Sequence, residues 1–159
     1  MADNDITTLN PDTAAVDKTV LLNRIYVKDC SFESPLAPSI FDQPFTPEVK
    51  ISMRTSTRQF ENHNVEVVLT ITADASVDNR SVFLAEVHQA GVFTVRGFNE
   101  QENAVILASY CPSILFPYAR VVIADLVMKG NMPTLVLQPV NFDAIFAQAM
   151  AAPADSKPS

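Results

Sequence analysis

Glycine is scarce in this chain: its 159 residues include only Gly91, Gly97 and Gly130. Glycines this far apart cannot form the glycine-rich loop, between a strand and a helix, that holds phosphate groups in nucleotide-binding proteins. The two histidines and two cysteines are scattered and lack the spacing of metal ligands. No serine or cysteine stands beside a plausible base in the sequence. We therefore expect neither an enzyme nor a bound metal or cofactor.

Basic residues are also in the minority, with 11 Lys and Arg against 18 Asp and Glu, which gives a formal net charge of −7. This balance argues against nucleic acid or an anionic membrane surface as the main partner. The stretch up to Asp17 contains four aspartates and no apolar core, so it is not a signal peptide, and we expect a cytoplasmic protein. Cys30 and Cys111 have apolar neighbours in the sequence, which predicts buried free thiols.

Charge is absent altogether between Ala104 and Ala119. At helical spacing this run has no polar stripe, so it predicts a helix that is apolar on every side. Pro112 and Pro117 interrupt the run, which is short for a membrane span, and they predict a kink or break. We expect the chain's own sheet to cover one side of the helix and a second copy to cover the other. The residues expected at the contact between copies are Tyr110, Ile114, Leu115, Phe116, Tyr118 and Arg120.

Residues rich in β-branched and aromatic types predict four strands, at positions 20–32, 48–54, 64–75 and 81–95. The alternation of the middle two indicates an antiparallel sheet that is covered on one face only. In the first strand the alternation is imperfect, which predicts a bulge or bend, and Gly91 predicts another bulge. Residues 77–80 have the composition of a tight hairpin turn.

After the long helix, which should end at Gly130, Asn141 is expected to cap a short helix that runs to Ala151. The sequence therefore predicts the α+β class, with a four-stranded antiparallel sheet followed by a long proline-interrupted helix and a short C-terminal helix. We expect one domain over residues 20–151. An acidic tail at residues 1–19 and a second tail at residues 152–159 are expected to be disordered.

The segment Pro35–Pro47 holds four prolines together with several large apolar residues. Long loops without regular structure are often functional, so this loop could form one wall of a binding groove. It could equally be a crossover loop that its aromatic residues hold against the core. Contiguous exposed apolar surface usually marks a binding site. The predicted groove residues, from this loop and the last helix, are Leu36, Ile40, Phe41, Phe45, Phe142, Ile145 and Phe146.

Four blocks of sequence, in order, resemble one family. They are Arg24–Asp29 (RIYVKD), Ser31–Pro35 (SFESP), Cys111–Arg120 (CPSILFPYAR) and Pro139–Asp143 (PVNFD). The chain resembles the SecB export chaperones of proteobacteria from about Arg24 to Phe146. The resemblance implies a homotetramer, a dimer of dimers with long helices between two eight-stranded sheets. It also implies surface grooves that hold unfolded secretory preproteins and a site that docks the SecA motor.

The resemblance also assigns the docking site, on the residues that match the family's motif. These residues are Asp29, Glu33, Leu84 and Glu86, and from spacing alone they would be an ordinary solvated sheet face. The chain departs from the family pattern at Ala90, Val121, Met132 and Phe45, which leaves the overall assignment unchanged.

Two other functions fit the same residues. The apolar side chains could line a closed pocket for a small hydrophobic ligand such as a lipid, or they could be buried in a purely structural oligomer subunit. Binding of labelled unfolded protein separates the three interpretations, because only a chaperone prefers an unfolded chain to its folded form.

Overall fold

The computed structural model describes residues 17–152, so the tails expected at residues 1–19 and 152–159 lie almost entirely outside it. Four strands and three α-helices account for most of this part of the chain. The strands are β1 (Thr19–Glu33), β2 (Glu48–Gln59), β3 (Asn64–Val77) and β4 (Arg80–Arg96). The helices are α1 (Glu100–Val105), α2 (Cys111–Lys129) and α3 (Phe142–Ala151). This order confirms the α+β class that the sequence predicts.

The strands form one antiparallel sheet in the order β1-β4-β3-β2, so β1 and β2 are its edges. A tight turn joins β3 to β4, as predicted, and its residues Asp78 and Asn79 have φ values of 49° and 60°. Two consecutive residues with positive φ are typical of the hairpin turn whose twist matches that of the strands, and Asp and Asn tolerate this conformation. The Pro-rich loop connects the two edge strands and contains a 3₁₀ turn at Ser39–Asp42.

The predicted irregularity of β1 is confirmed, and it decides which residues share a face of the sheet. The register with β4 shifts between Leu22 and Arg24 and again between Val27 and Asp29. A bulge inserts one extra residue, so the residues on either side of it exchange faces relative to simple alternation. Val27 and Cys30 consequently share the inner face of the sheet, whereas Asp29 lies on the outer face.

Gly91 does not mark a bulge, contrary to the sequence expectation. It pairs in regular register with Ile25 on one side and Val67 on the other. A Cβ atom at this position would lie 2.9 Å from the Phe93 ring and 3.0 Å from a Leu115 methyl group. Glycine is needed here because the long helix approaches the sheet this closely.

The inner face of the sheet packs against the long helix and forms the core. The fully buried side chains of β3 and β4 include Leu69, Ile71, Phe83 and Phe93, and those of the helix include Leu115 and Ile123. Cys111 is buried, as expected, and its burial raises the pKa of the thiol to about 12. Cys30 is exposed, which contradicts the expectation of a buried thiol, because β1 is an edge strand of the sheet.

The long helix is continuous from Glu100 to Lys129, so the predicted break is wrong. Its interruption takes another form: Ile106–Tyr110 is a π-helical turn that directly precedes Pro112. Pro117 lies inside α2, which continues past it. By length and composition this helix could also cross a membrane, but core helices of soluble proteins meet the same criterion. Here its buried residues pack against the sheet.

Candidate functional site

The predicted groove residues divide into two groups in the structure. In the Pro-rich loop, Phe41 is 40% exposed, whereas Leu36, Ile40 and Phe45 are half-buried against the core. On α3, Phe142 is buried, Phe146 is half-buried and Ile145 is 47% exposed. The loop residues thus have features of both alternatives. They pack against the core, as a crossover loop would, and they are still partly exposed, as a groove wall would be.

The loop and α3 do not line the same depression. Phe41 and Phe45 line one of about 500 Å³ together with Asn131, Met132 and Pro133. Phe142 lines a separate one of about 540 Å³, between α3 and the π-helical turn. The Pro-rich loop and α3 could therefore belong to a single groove only if a third element connects the two depressions.

Residues 131–143, which lead from α2 into α3, supply this connection. Residues 135–140 line a third depression of about 350 Å³, and the other walls are Phe116 and the β2 residues Val49, Ile51 and Met53. Residues 131–133 belong to the depression at the loop, and residues 140–143 belong to the one at α3. We call these three depressions, in a row along residues 131–143, the apolar strip.

The segment of residues 131–143 was not predicted from the sequence to be a functional element. Its apolar residues Leu135, Val136 and Leu137 carry the signal, and Val136 is 53% exposed. Residues 133–140 have no regular secondary structure, and none of them takes part in a backbone–backbone hydrogen bond within residues 17–152. Their C=O groups, and the N–H groups of all but Pro133 and Pro139, are therefore available to water or to another chain.

One hydrogen bond caps α3, and two contacts with the long helix fix its position beside the strip. The Asn141 side chain accepts a hydrogen bond from the backbone N–H of Ala144, which is the predicted helix cap. The Ser109 hydroxyl donates a hydrogen bond to the Asp143 carboxylate. The Phe142 ring meets the Phe116 ring edge-on, with centroids 5.9 Å apart. Together they join α3 to both parts of the long helix.

The face of the long helix that points away from the sheet is apolar and uncovered in the single chain. Tyr110 and Tyr118 are about half exposed, and Val121 and Met128 are each 67% exposed. These residues recur at the spacing of one helical face. Beside them, an apolar depression of about 470 Å³ opens between α2 and the edge strand β1.

Two of the residues predicted at the contact between copies are placed wrongly. Leu115 and Phe116 are buried in the chain's own core, 0% and 6% exposed, so no second copy can reach them on this face. Tyr110 and Tyr118 lie on the uncovered face, and Ile114 and Arg120 are half-buried. The sequence could not separate the two faces, because the helix is apolar around its whole circumference.

The four residues assigned to SecA docking lie together on the outer face of the sheet. Glu33 pairs with Leu84 across β1 and β4, and Asp29 pairs with His88, the neighbour of Glu86 on the same face. Asp29 and Glu33 are exposed, whereas Leu84 and Glu86 are partly exposed. The arrangement is an acidic patch around one leucine, and the pairing of β1 with β4 brings it together.

Hydrogen bonds hold the Glu86 carboxylate in this patch. Its two oxygens lie 2.6 Å from Nε2 of His88 and 2.9 Å from the hydroxyl of Thr72. The bond with His88, followed by the one with Thr72, lowers the pKa of Glu86 below its usual value. The patch therefore keeps this negative charge at neutral pH.

Comparisons with known proteins agree with this architecture. The family model described as preprotein translocase subunit SecB matches residues 13–153. The protein-export protein SecB of Alcanivorax borkumensis is 46% identical over 130 residues, which cover 80% of this chain and 83% of that protein. The protein of the same name from Legionella pneumophila strain Philadelphia 1 is 43% identical over 142 residues, with 89% and 88% covered.

One solved structure has the same fold at low sequence identity. It is the Mycobacterium tuberculosis Rv1957 SecB-like chaperone in complex with a ChAD peptide from the Rv1956 HigA1 antitoxin. The TM-score is 0.64 at 16% identity, with 76% of this chain and 90% of that chain covered. The family match spans most of the chain, and the relatives are well above 30% identical over most of their length. The chain belongs to the SecB family.

Proposed function

We propose that this protein is a cytoplasmic export chaperone that binds unfolded secretory preproteins along the apolar strip. The observation that carries the proposal is the strip itself, in a chain whose family is that of protein-export proteins. Three consecutive depressions, with an almost wholly apolar one between two of mixed lining, suit an extended polypeptide better than one enclosed cavity would. A client with several apolar segments can occupy them together, and multivalent binding raises avidity roughly 10²–10⁴-fold over one site.

The backbone of residues 133–140 supports the same interpretation. Its free N–H and C=O groups can bond to the main chain of a client, which every polypeptide has. Apolar side chains such as Val136 and Phe41 then select for apolar segments without requiring a fixed sequence. This combination explains how one surface could accept many different preproteins.

The uncovered helix face supports a homotetramer as the functional form. Each large apolar side chain that a second copy buries would contribute about 1.5–3 kcal/mol. Of the exposed β1 residues, Val27 lines the depression beside α2, and Leu22 pairs with Phe93 on the same inner face of the sheet. Pairing of two β1 edges would produce the eight-stranded sheets that the resemblance implies, and it would leave both β2 edges free.

We further propose that the acidic patch of Asp29, Glu33, Leu84 and Glu86 docks the SecA motor. Its carboxylates are exposed or held ionised, and the patch lies on the face of the sheet opposite to the helix. A client on the strip and SecA on the patch could therefore be bound at the same time, which delivery requires.

Titration of one secretory protein in two states tests the proposed function. A labelled preprotein is held unfolded for one series and allowed to fold for the other, and fluorescence anisotropy reports binding of each. The chaperone should bind the unfolded form and should ignore the folded form. Equal binding of both forms, or of neither, would reject the proposal, and saturation by a single small hydrophobic ligand would favour a carrier.

A further inference from the structure

The outer face of the edge strand β2 carries a row of positive charges, although the chain as a whole is acidic. On β2, Lys50, Arg54 and Arg58 share one parity, and the register pairs them with outward-facing residues of β3. Four residues of a strand span about 13 Å, so the three cations form a row along the edge at nearly even distances. All three side chains are exposed.

The two arginines have no carboxylate at ion-pair distance within residues 17–152. Glu66 pairs with Arg58 in the register, but its carboxylate bonds to Nζ of Lys28 at 2.7 Å and to the Tyr26 hydroxyl. The Arg58 guanidinium lies 5.0 Å from the ring centroid of Phe60, which is itself 46% exposed. Arg54 and Arg58 act on Glu86 and Glu66 only at longer range, so within residues 17–152 neither guanidinium is held in a close ion pair and both can bind a partner.

The backbone of the same segment is available as well. β2 is the outermost strand, and no other described strand pairs with its far side. Residues 54–59 are exposed on both faces of the strand. The unpaired N–H and C=O groups of an edge strand can bond to another extended chain. Positive charges on such an edge repel a second edge of the same kind, but they attract a strand of opposite charge.

We propose that the β2 edge from Arg54 to Gln59 binds an acidic, extended segment of another polypeptide. The segment would add to the sheet as a fifth strand, and its carboxylates would pair with Arg54 and Arg58. Backbone hydrogen bonds would supply affinity, and the charge-assisted contacts would supply selectivity for acidic sequence. The site shares no residue with the apolar strip or with the acidic patch, although Arg54 acts on Glu86 of the patch at longer range, and it does not depend on the proposed function.

The test uses the full chain and two fluorescein-labelled synthetic peptides of identical length. One alternates glutamate with valine, and the other has glutamine in place of each glutamate. At low salt the glutamate peptide should bind at least tenfold more tightly in fluorescence anisotropy, and added salt should remove the difference. Two further peptides are N-methylated, one at its odd and one at its even residues. The peptide in which methylation blocks the N–H groups that face β2 should not bind, because strand pairing is lost while the charge is unchanged.

Protein variants assign the binding to the edge. Arg54→Thr with Arg58→Thr should weaken binding of the glutamate peptide at least tenfold, whereas Arg80→Thr, an exposed arginine at the β3–β4 turn, should not change it. Binding of the unfolded preprotein should stay unchanged in both variants, which shows that they are folded. Hydrogen exchange of residues 54–59 should slow when the peptide binds.

Four results with the unchanged N-terminal segment would overturn the proposal, and a fifth would come from changing that segment. They are equal affinity for the two peptides, undiminished affinity of the double variant, and full binding of both N-methylated peptides. The fourth is tighter binding of anionic vesicles or a single-stranded oligonucleotide than of the glutamate peptide. If the peptide binds only after Asp3, Asp5 and Asp12 are changed to Asn, the chain's own first segment occupies the edge, which also contradicts an external partner.

Discussion

The most buried carboxylate of the outer sheet face, Glu66, shows how single residues hold this sheet together. It is 7% exposed, and its oxygens accept hydrogen bonds from Lys28 and from the Tyr26 hydroxyl. These bonds, that of Lys28 first, lower the pKa of Glu66. In turn, burial and the neighbouring carboxylate raise the pKa of Tyr26 to about 12. Lys28 is the inserted residue of the β1 bulge, so the bulge and the ion pair are one feature.

Changing Glu66 to Gln should lower the free energy of unfolding by about 1–2 kcal/mol at neutral pH, since Lys28 is partly exposed and solvent screens its share. Because the folded-state pKa of Glu66 is lowered, its stabilisation is present above the usual glutamate pKa and is lost as the pH falls through the folded-state value. Urea denaturation of both proteins along a falling pH series should show the difference disappear in acid. A constant difference at every pH would contradict a role for the ionised carboxylate.

At the scale of elements, the apolar strip depends on residues 131–143, which have no helix or strand before α3. Val136 is the natural position to test, because it is exposed in the depression beside β2 and its loss leaves the core intact. Val136→Asp should weaken binding of an unfolded preprotein at least tenfold, or about 1.4 kcal/mol, because a charge replaces an apolar contact. Anisotropy titrations give the affinity.

Met150→Asp is a matched control for this variant, since Met150 is exposed on α3 and lines none of the three depressions. Its affinity for the preprotein should equal that of the unchanged chain. Equal loss of affinity in both variants would show a general effect of added negative charge and would remove the strip from the account.

The sequence predicted elements better than it predicted surfaces. Alternation located β2, β3 and β4, and Asn141 correctly marked the start of α3, because these signals are local. The irregularity of β1 was predicted, but the faces of its residues were not, since the bulge at Lys28 reverses the alternation and its position depends on pairing with β4. Leu115 and Phe116 were assigned to the wrong side of the long helix, because no polar stripe in its sequence distinguishes one face from the other.

The candidate site was predictable only in part for a related reason. Of the predicted groove residues, Phe41, Phe45 and Phe142 line two of the three depressions, whereas the other four line none of them. Residues 135–140 have neither the alternation of a paired strand nor the period of a helix. Their role follows from where α2 ends and α3 begins, and this placement depends on contacts such as that between Phe116 and Phe142. Such contacts join residues far apart in the sequence.

At the scale of the whole molecule, the uncovered helix face predicts assembly. Light scattering should give a mass of four 17.4 kDa chains, about 70 kDa. Tyr118→Asp with Val121→Asp should lower that mass, because both side chains are exposed in the single chain and an aspartate would be buried at the contact. Met150→Asp should leave the mass unchanged. A folded, stable monomer of the unchanged sequence would refute the assembly.

The acidic patch gives a separate prediction at this scale. Glu86→Lys should lower the affinity for SecA more than tenfold, since it reverses a charge that His88 and Thr72 hold in place. Calorimetry at low and high salt measures this, and the loss should be larger at low salt. Asp74→Lys, on the same face of the neighbouring strand β3, tests how far the patch extends. Unaltered, salt-independent affinity of Glu86→Lys would remove the patch from the mechanism.

The central claim is that unfolded preproteins bind along the apolar strip, and hydrogen exchange of the chaperone with and without an unfolded preprotein tests it most directly. The amides of residues 134–138 and of Val140 have no backbone partner within the described part of the chain, so they should exchange fast in the free protein. Binding should slow them, together with those near Phe41, while the outer face of the sheet stays unchanged. Unchanged exchange at residues 133–140 in a saturated complex would contradict the account.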